Sequence, residues 1–146
     1  MVEVLVALLV LSIGLLGLAA LHVTSLQYNT GSYFRTQAAV MAYDILDRMR
    51  VNSAAIANGG AYDIATAAAA TPFLTSTDPT CDTSSCSSAN MAAYDLGKWY
   101  KRMSLVLPGA STNLATIDVS ATRLVTIDIR WIEHDLSMRQ TWVVQL

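Results

Sequence analysis

The sequence predicts an α+β fold: one long N-terminal helix, at about residues 2–55, packed on a small antiparallel sheet of three to four strands. Three observations predict it. An unbroken apolar run opens the chain, helical periodicity continues beyond that run, and the period changes from 3.6 to 2 toward the C-terminus. The chain has 146 residues, enough for one domain and short for two. Apolar residues make up 53% and charged residues 14%, high and low respectively for a soluble globular chain. A net charge of −2, with no basic cluster, argues against nucleic acid or an anionic lipid surface as partner.

The apolar run extends from Val4 to Leu21, 18 residues whose one polar member is Ser12. No formal charge occurs between Glu3 and Arg35. A helix needs roughly 20 such residues to cross about 30 Å of hydrocarbon. A cleaved secretory signal has a shorter apolar core, about 7–15 residues, and a small-residue exit. Leu18-Ala19-Ala20-Leu21-His22 matches that exit poorly, so the segment reads as retained. No Lys or Arg precedes the run, and Glu3 stands where the usual positive-inside signal would be. Two readings fit: a basic leader that has been lost, or a reading frame that starts upstream of Met1.

Helical spacing continues past the run. Phe34, Ala38, Met41, Ile45 and Met49 fall on one helix face, with Arg35, Gln37, Asp44, Asp47 and Arg48 opposite. Asp44 and Arg48 are four apart with the acid N-terminal, the favourable order for an ion pair. No proline interrupts residues 1–71, and Gly59-Gly60 is the first strong stop signal. Such a helix would be roughly 75–85 Å long at 1.5 Å per residue. A membrane accommodates its first part only, so the amphipathic second half must lie against the chain's own domain.

Residues 61–90 read as a loop, with an alanine tract at Ala65–Ala70 and a stretch dense in Ser, Thr, Asp and Pro. Cys81 and Cys86 lie inside it. A local disulfide is favoured over two free thiols by the exported character of the chain. Two cysteines are too few for a metal site, and neither His22 nor His134 is near in sequence. Ser87 or Ser88 can cap a second helix carrying Leu96, Trp99, Met103 and Val106, closed near Leu107 by Pro108-Gly109.

Alternation then sets in. Val125, Ile127, Ile129 and Trp131 form one apolar file, and Met138, Trp142, Val144 and Leu146 another, broken at Gln140. The residues from Glu133 to Ser137 suit a five-residue hairpin loop, and Ala115–Val119 is a weaker third strand. The natural cover for this sheet is the amphipathic half of the long helix. Trp99, Trp131 and Trp142 read as packing rather than as a sugar-binding set, His22 as interfacial and His134 as solvated.

Met1-Val2-Glu3-Val4-Leu5-Val6-Ala7-Leu8 resembles the segment that follows the prepilin peptidase cut in type IV pilins. Ala42-Tyr43-Asp44-Ile45-Leu46-Asp47-Arg48-Met49-Arg50, and Cys86 through Trp99 to Leu107-Pro108-Gly109, are similar to the minor pilins of the PilV kind, the type IV pilus modification proteins. The resemblance implies the type IV pilin fold, and a basic leader ending in glycine with an N-methylated aromatic residue after the cut. It implies residues 1–24 as a transmembrane and filament-core helix and 25–146 as an extracytoplasmic globular domain. It implies a subunit that helps to initiate the pilus, and with it twitching motility and adhesion. The expected partners are other minor pilins, the major pilin, the inner-membrane assembly platform and the prepilin peptidase. The expected location is the inner membrane, single-pass with the C-terminal domain periplasmic, and then the pilus at the cell surface. Many major pilins carry a helix-bending proline near the end of the apolar run, where this chain has Gly14 and Gly17.

An ionised carboxylate at the end of an apolar run is costly unless paired. The resemblance implies that Glu3 neutralises the N-terminal amine of a neighbouring subunit in the filament core and sets axial register. An interfacial acid among lipid headgroups is the alternative. Gly14 and Gly17, three apart, suit either close helix packing or simple tolerance by lipid. The sequence has no phosphate loop, no G-x-S-x-G, no H-E-x-x-H and no cysteine with a plausible base, so no enzyme, catalytic residue or cofactor is expected. A minor pseudopilin of type II secretion and a single-pass membrane-anchored binding domain are the rival readings.

Overall fold

The computed structural model describes residues 1–57, 60–75, 80–110 and 115–146. The elements run α1 (Val2–Val51), α2 (Ser53–Ala57), α3 (Ala67–Thr75), α4 (Ser88–Val106), β1 (Thr116–Val119), β2 (Leu124–Glu133) and β3 (Leu136–Gln145). They form two compact units, Met1–Phe34 and Arg35–Leu146, and α1 contributes to both.

The first unit is helix alone. Leucine, alanine and valine without proline sustain it, and four of its hydroxyls turn back onto the helix. Thr24, Thr30 and Ser32 donate to the carbonyls of Ala20, Leu26 and Tyr28 at 3.1, 2.9 and 3.0 Å, and Ser12 donates to Leu8. Polar groups satisfied inside the helix are what a hydrocarbon surrounding demands. The apolar side chains stay uncovered, Leu16 being 71% exposed. By length and composition α1 is able to cross a membrane.

In the second unit, α1 buries Ala38, Met41, Ala42, Ile45, Leu46 and Met49. The helix predicted to about residue 55 breaks at Asn52, whose amide leaves to donate to Ser88 O (2.8 Å) and Tyr62 Oη (3.2 Å). Asparagine favours such local bonds over helix interiors. A short α2 resumes and buries Ala55 and Ile56. Of the Gly59-Gly60 stop signal, Gly59 lies outside the described residues, and Gly60 has φ 78°.

The loop expected at 61–90 contains a helix, α3. Alanine is the best helix former, and Thr66 closes its start by accepting from Ala69 N. Pro72 removes one amide from it, and packing compensates. Ala70 is buried, and the Phe73 ring stacks on Tyr100 of α4 at 5.9 Å.

Helix α4 follows the expectation. Ser87 caps it, its hydroxyl accepting from Asn90 N. After Leu107 comes Gly109 with φ 72°, where a Cβ would come within 2.6 Å of Ile132. Glycine is required there on both counts. Pro108 O accepts from Ile132 N at 2.8 Å, hooking the turn onto β2.

Among the described residues the sheet has three strands in the order β1-β2-β3, all antiparallel. Val125, Ile127, Ile129 and Trp131 are buried on its inner face. The predicted five-residue hairpin loop is instead a two-residue turn: Glu133 pairs with Leu136, and His134 and Asp135 both have positive φ, the type I′ geometry. Trp142 is only half-buried, because β3 is an edge strand. Asp128, on the polar file, is 3% exposed beneath Arg130 and Arg139, which it binds at 2.9 and 2.8 Å.

Candidate assembly site

The first unit carries Glu3, Gly14 and Gly17. Glu3 sits in the first turn of α1, where the helix dipole favours an acid. Eleven residues are close to three turns at 3.6 per turn, so Glu3 and Gly14 share a face, and Gly17 lies one turn further along it. At either glycine, an added Cβ would meet nothing within 4 Å. The face is open to another helix.

The second unit fixes the other half of α1 through two contacts with α4, one buried and one part-buried. Trp99 Nε1 donates to Met41 O at 2.8 Å. Arg48 Nη1 meets Asp95 Oδ1 at 3.0 Å, while its Nε bonds Asp44 at 3.3 Å. Asp95 is 6% exposed, and its other oxygen accepts from Tyr62 Oη at 2.6 Å. Burial works against the Arg48 charge, but the hydrogen bond to Asp95 and the field of Asp44 outweigh it, leaving the guanidinium pKa raised. Burial pushes the Tyr62 phenol up, and its hydrogen bond to Asp95 pushes it further. Arg48 is thus held charged and Tyr62 neutral, as their bonds to Asp95 require.

Cys81 and Cys86 form a disulfide, with Cα atoms 5.5 Å apart, immediately before the Ser87 cap. The loop it closes is short, so its stabilisation is about 2 kcal/mol. His22 and His134 are exposed. Among the described residues no group of three or more His, Cys, Asp or Glu could hold a metal ion.

Sequence reasoning paired Asp44 with Arg48 but missed Asp95, Tyr62 and Asn52. A signal for Asp95 existed. It lies four residues before Trp99, on the face of α4 that packs inward, where an acid requires a partner. Tyr62 and Asn52 lie outside any periodic run and gave none.

An apolar helix left uncovered along one half, and clamped by its own domain along the other, defines a pilin-like structural subunit. The chain belongs to the type IV pilin family: the Tt1218-like family, described as type IV pilin Tt1218, matches residues 20–97, just over half of the chain. The matched region takes in Asp44, Arg48, Asp95 and the disulfide, and ends before the sheet. That family is structural rather than enzymatic. No curated protein and no solved structure matches the chain.

Proposed function

We propose that the chain is a minor pilin of the PilV kind, which primes assembly of the type IV pilus. Residues 1–24 span the inner membrane before assembly, with 25–146 in the periplasm. The prepilin peptidase trims the chain ahead of the Glu3 segment, and the assembly platform moves it into the fibre beside other minor pilins and the major pilin. Twitching motility and adhesion depend on the fibre so begun.

The observation that carries this reading is the uncovered apolar half of α1, with Glu3 as its one charge before Arg35 and two glycines on the same face. Lipid tails are as apolar as leucine, so moving this helix from bilayer to filament changes little hydrophobic free energy. Selectivity then falls to the polar contact. A buried carboxylate and a buried amine are each costly alone and offset one another when paired. The two stretches similar to the PilV kind also meet in space, through Arg48–Asp95.

The test is deletion of the chain's gene, with fibres then counted and measured. An initiator's loss gives fewer fibres of ordinary length and reduced twitching. Ordinary fibre numbers in the deletion strain would refute the priming role.

A further inference from the structure

Among the described residues of the second unit, the two most exposed large apolar side chains are Val51, at 89%, and Leu105, at 87%. Their electrostatic surroundings are opposite. Val51 ends α1 and, with Met91 of α4, supplies the apolar walls of an open groove of about 350 Å³. Asp44, Asp47, Arg48 and Asp95 add its charges. Arg48 is spent on Asp44 and Asp95, and Asp95 is buried. The charge offered to solvent is therefore that of Asp44 and Asp47. The Asp47 side chain is 70% exposed, and its pair with Arg50 lies at the surface, where such pairs are weak.

Leu105 has the reverse setting. From Leu96 to Val106, α4 carries Lys98, Lys101 and Arg102 and no acid. Positions 98, 101, 102 and 105 recur at three and four residues, so the bases and the leucine share one helix face. Lys98 and Arg102 are exposed. Protein contacts have an apolar centre and a polar rim, and complementary charge fixes their register. Here one face is an apolar hollow rimmed by acids, and the other an apolar knob rimmed by bases. They cannot meet within one copy: positions 91 and 105 of the same helix stand about 21 Å apart at 1.5 Å per residue.

We infer that Leu105 of one copy seats in the Val51–Met91 groove of a second copy, with Lys98 and Arg102 against Asp44 and Asp47 of that copy. The two surfaces are different, so the contact is heterologous. Each added copy leaves one groove and one leucine still open, and copies join head to tail. The contact links the second units in series and is independent of α1's uncovered half. It goes beyond the priming role and does not rest on it.

The experiment uses the full-length chain in bacterial membranes, as two co-expressed versions with different epitope tags. One version carries the photocrosslinking residue p-benzoylphenylalanine in place of Leu105, and the other is otherwise wild type. After irradiation, adducts bearing both tags are isolated and their crosslinked peptides identified by mass spectrometry. The expected adduct joins position 105 to Met91 or Val51. The same photocrosslinker in place of Leu136, another exposed apolar side chain, gives no adduct with that groove. Arg102→Glu in the photocrosslinking version lowers the yield about fivefold. Asp47→Lys in the other version then restores it, because the two charges have exchanged places. Absence of the groove adduct overturns the inference. So does an adduct of position 105 only with another protein or with a different surface of the second copy, and so does failure of the charge exchange to restore the yield.

Discussion

Arg48 and Asp95, 47 residues apart in sequence, meet at 3.0 Å and tie α1 to α4. The same carboxylate takes the Tyr62 hydroxyl, so one acid joins three separate segments of the domain. A helix that must be drawn into a fibre by its apolar half needs its own domain to follow. This ion pair, with the Trp99–Met41 bond, supplies a directional hold that apolar packing alone lacks.

Replacing Asp95 with Ala should therefore destabilise the domain by about 2–3 kcal/mol. Breaking a fully buried pair costs about 3–5 kcal/mol, but the Arg48 side chain is 34% exposed and recovers part of that from water. Asp95→Asn keeps an acceptor for Tyr62 and should lose about half as much. Denaturant unfolding followed by tryptophan fluorescence measures both. An unchanged midpoint for Asp95→Ala would mean that the contact adds no stability.

Alkaline pH should weaken the fold through Tyr62 and Tyr100. Burial raises both phenols above their ordinary value of 10.0, aided for Tyr62 by its bond to Asp95. Above that pH the unfolded chain has released these protons while the folded chain still holds them, so stability falls as pH rises. The contribution is complete below about pH 10 and disappears as pH climbs through the folded values. Wild type should lose stability more steeply between about pH 9 and 11 than a Tyr62→Phe, Tyr100→Phe double variant. Parallel curves would show that neither tyrosine is responsible.

The main lines of the fold were legible because two periods, 3.6 and 2, are written into α1, α4 and the β2–β3 pair. Misreadings arose where local chemistry overrode composition. The Ala65–Ala70 tract looked like low complexity, yet alanine with a Thr66 cap and a buried Ala70 makes α3. His134-Asp135 does not advertise a type I′ turn, since neither residue is glycine, and the pairing of Glu133 with Leu136 imposes it. Asp128 keeps its place in the polar file but is buried by two arginines from the same face. At the site, Asp44–Arg48 could be read from a spacing of four, whereas Asp95 became its partner only through the packing of α4 on α1.

That imposed turn can be improved. Left-handed backbone costs an ordinary L-residue roughly 1–2 kcal/mol, less for Asn and Asp and nothing for Gly. His134→Asn with Asp135→Gly should stabilise the hairpin by about 1 kcal/mol, read as a raised unfolding midpoint. A lowered midpoint would mean that these side chains do more than turn the chain.

Gly17→Leu separates a contact between subunits from one within the chain. Nothing lies within 4 Å of a Cβ at Gly17, so the isolated chain has room for the change. Leucine also favours both helix and bilayer, and the protein should reach the membrane at its usual level. Incorporation into sheared fibres should fall, because a bulky side chain holds neighbouring helices apart. Undiminished incorporation would mean that this face meets only lipid.

Glu3→Ala is the sharpest test of the assembly mechanism. The substitution removes the single acid from the start of α1 and leaves Val4–Leu21 intact, so membrane insertion should survive or improve. On the proposed reading, the amine that Glu3 would neutralise in the filament core is then buried without a counter-charge. Breaking one side of such a pair costs about 3–5 kcal/mol, and every 1.4 kcal/mol is tenfold in an equilibrium constant. The contact should therefore weaken by roughly two to three orders of magnitude. The protein should accumulate normally in the inner membrane and be depleted from sheared fibres. Glu3→Gln should behave like Glu3→Ala, since it keeps hydrogen-bonding capacity but not the charge, whereas Glu3→Asp should retain part of the incorporation. Should Glu3→Ala enter fibres as well as wild type, the acid is an interfacial residue, and register is set elsewhere on the helix.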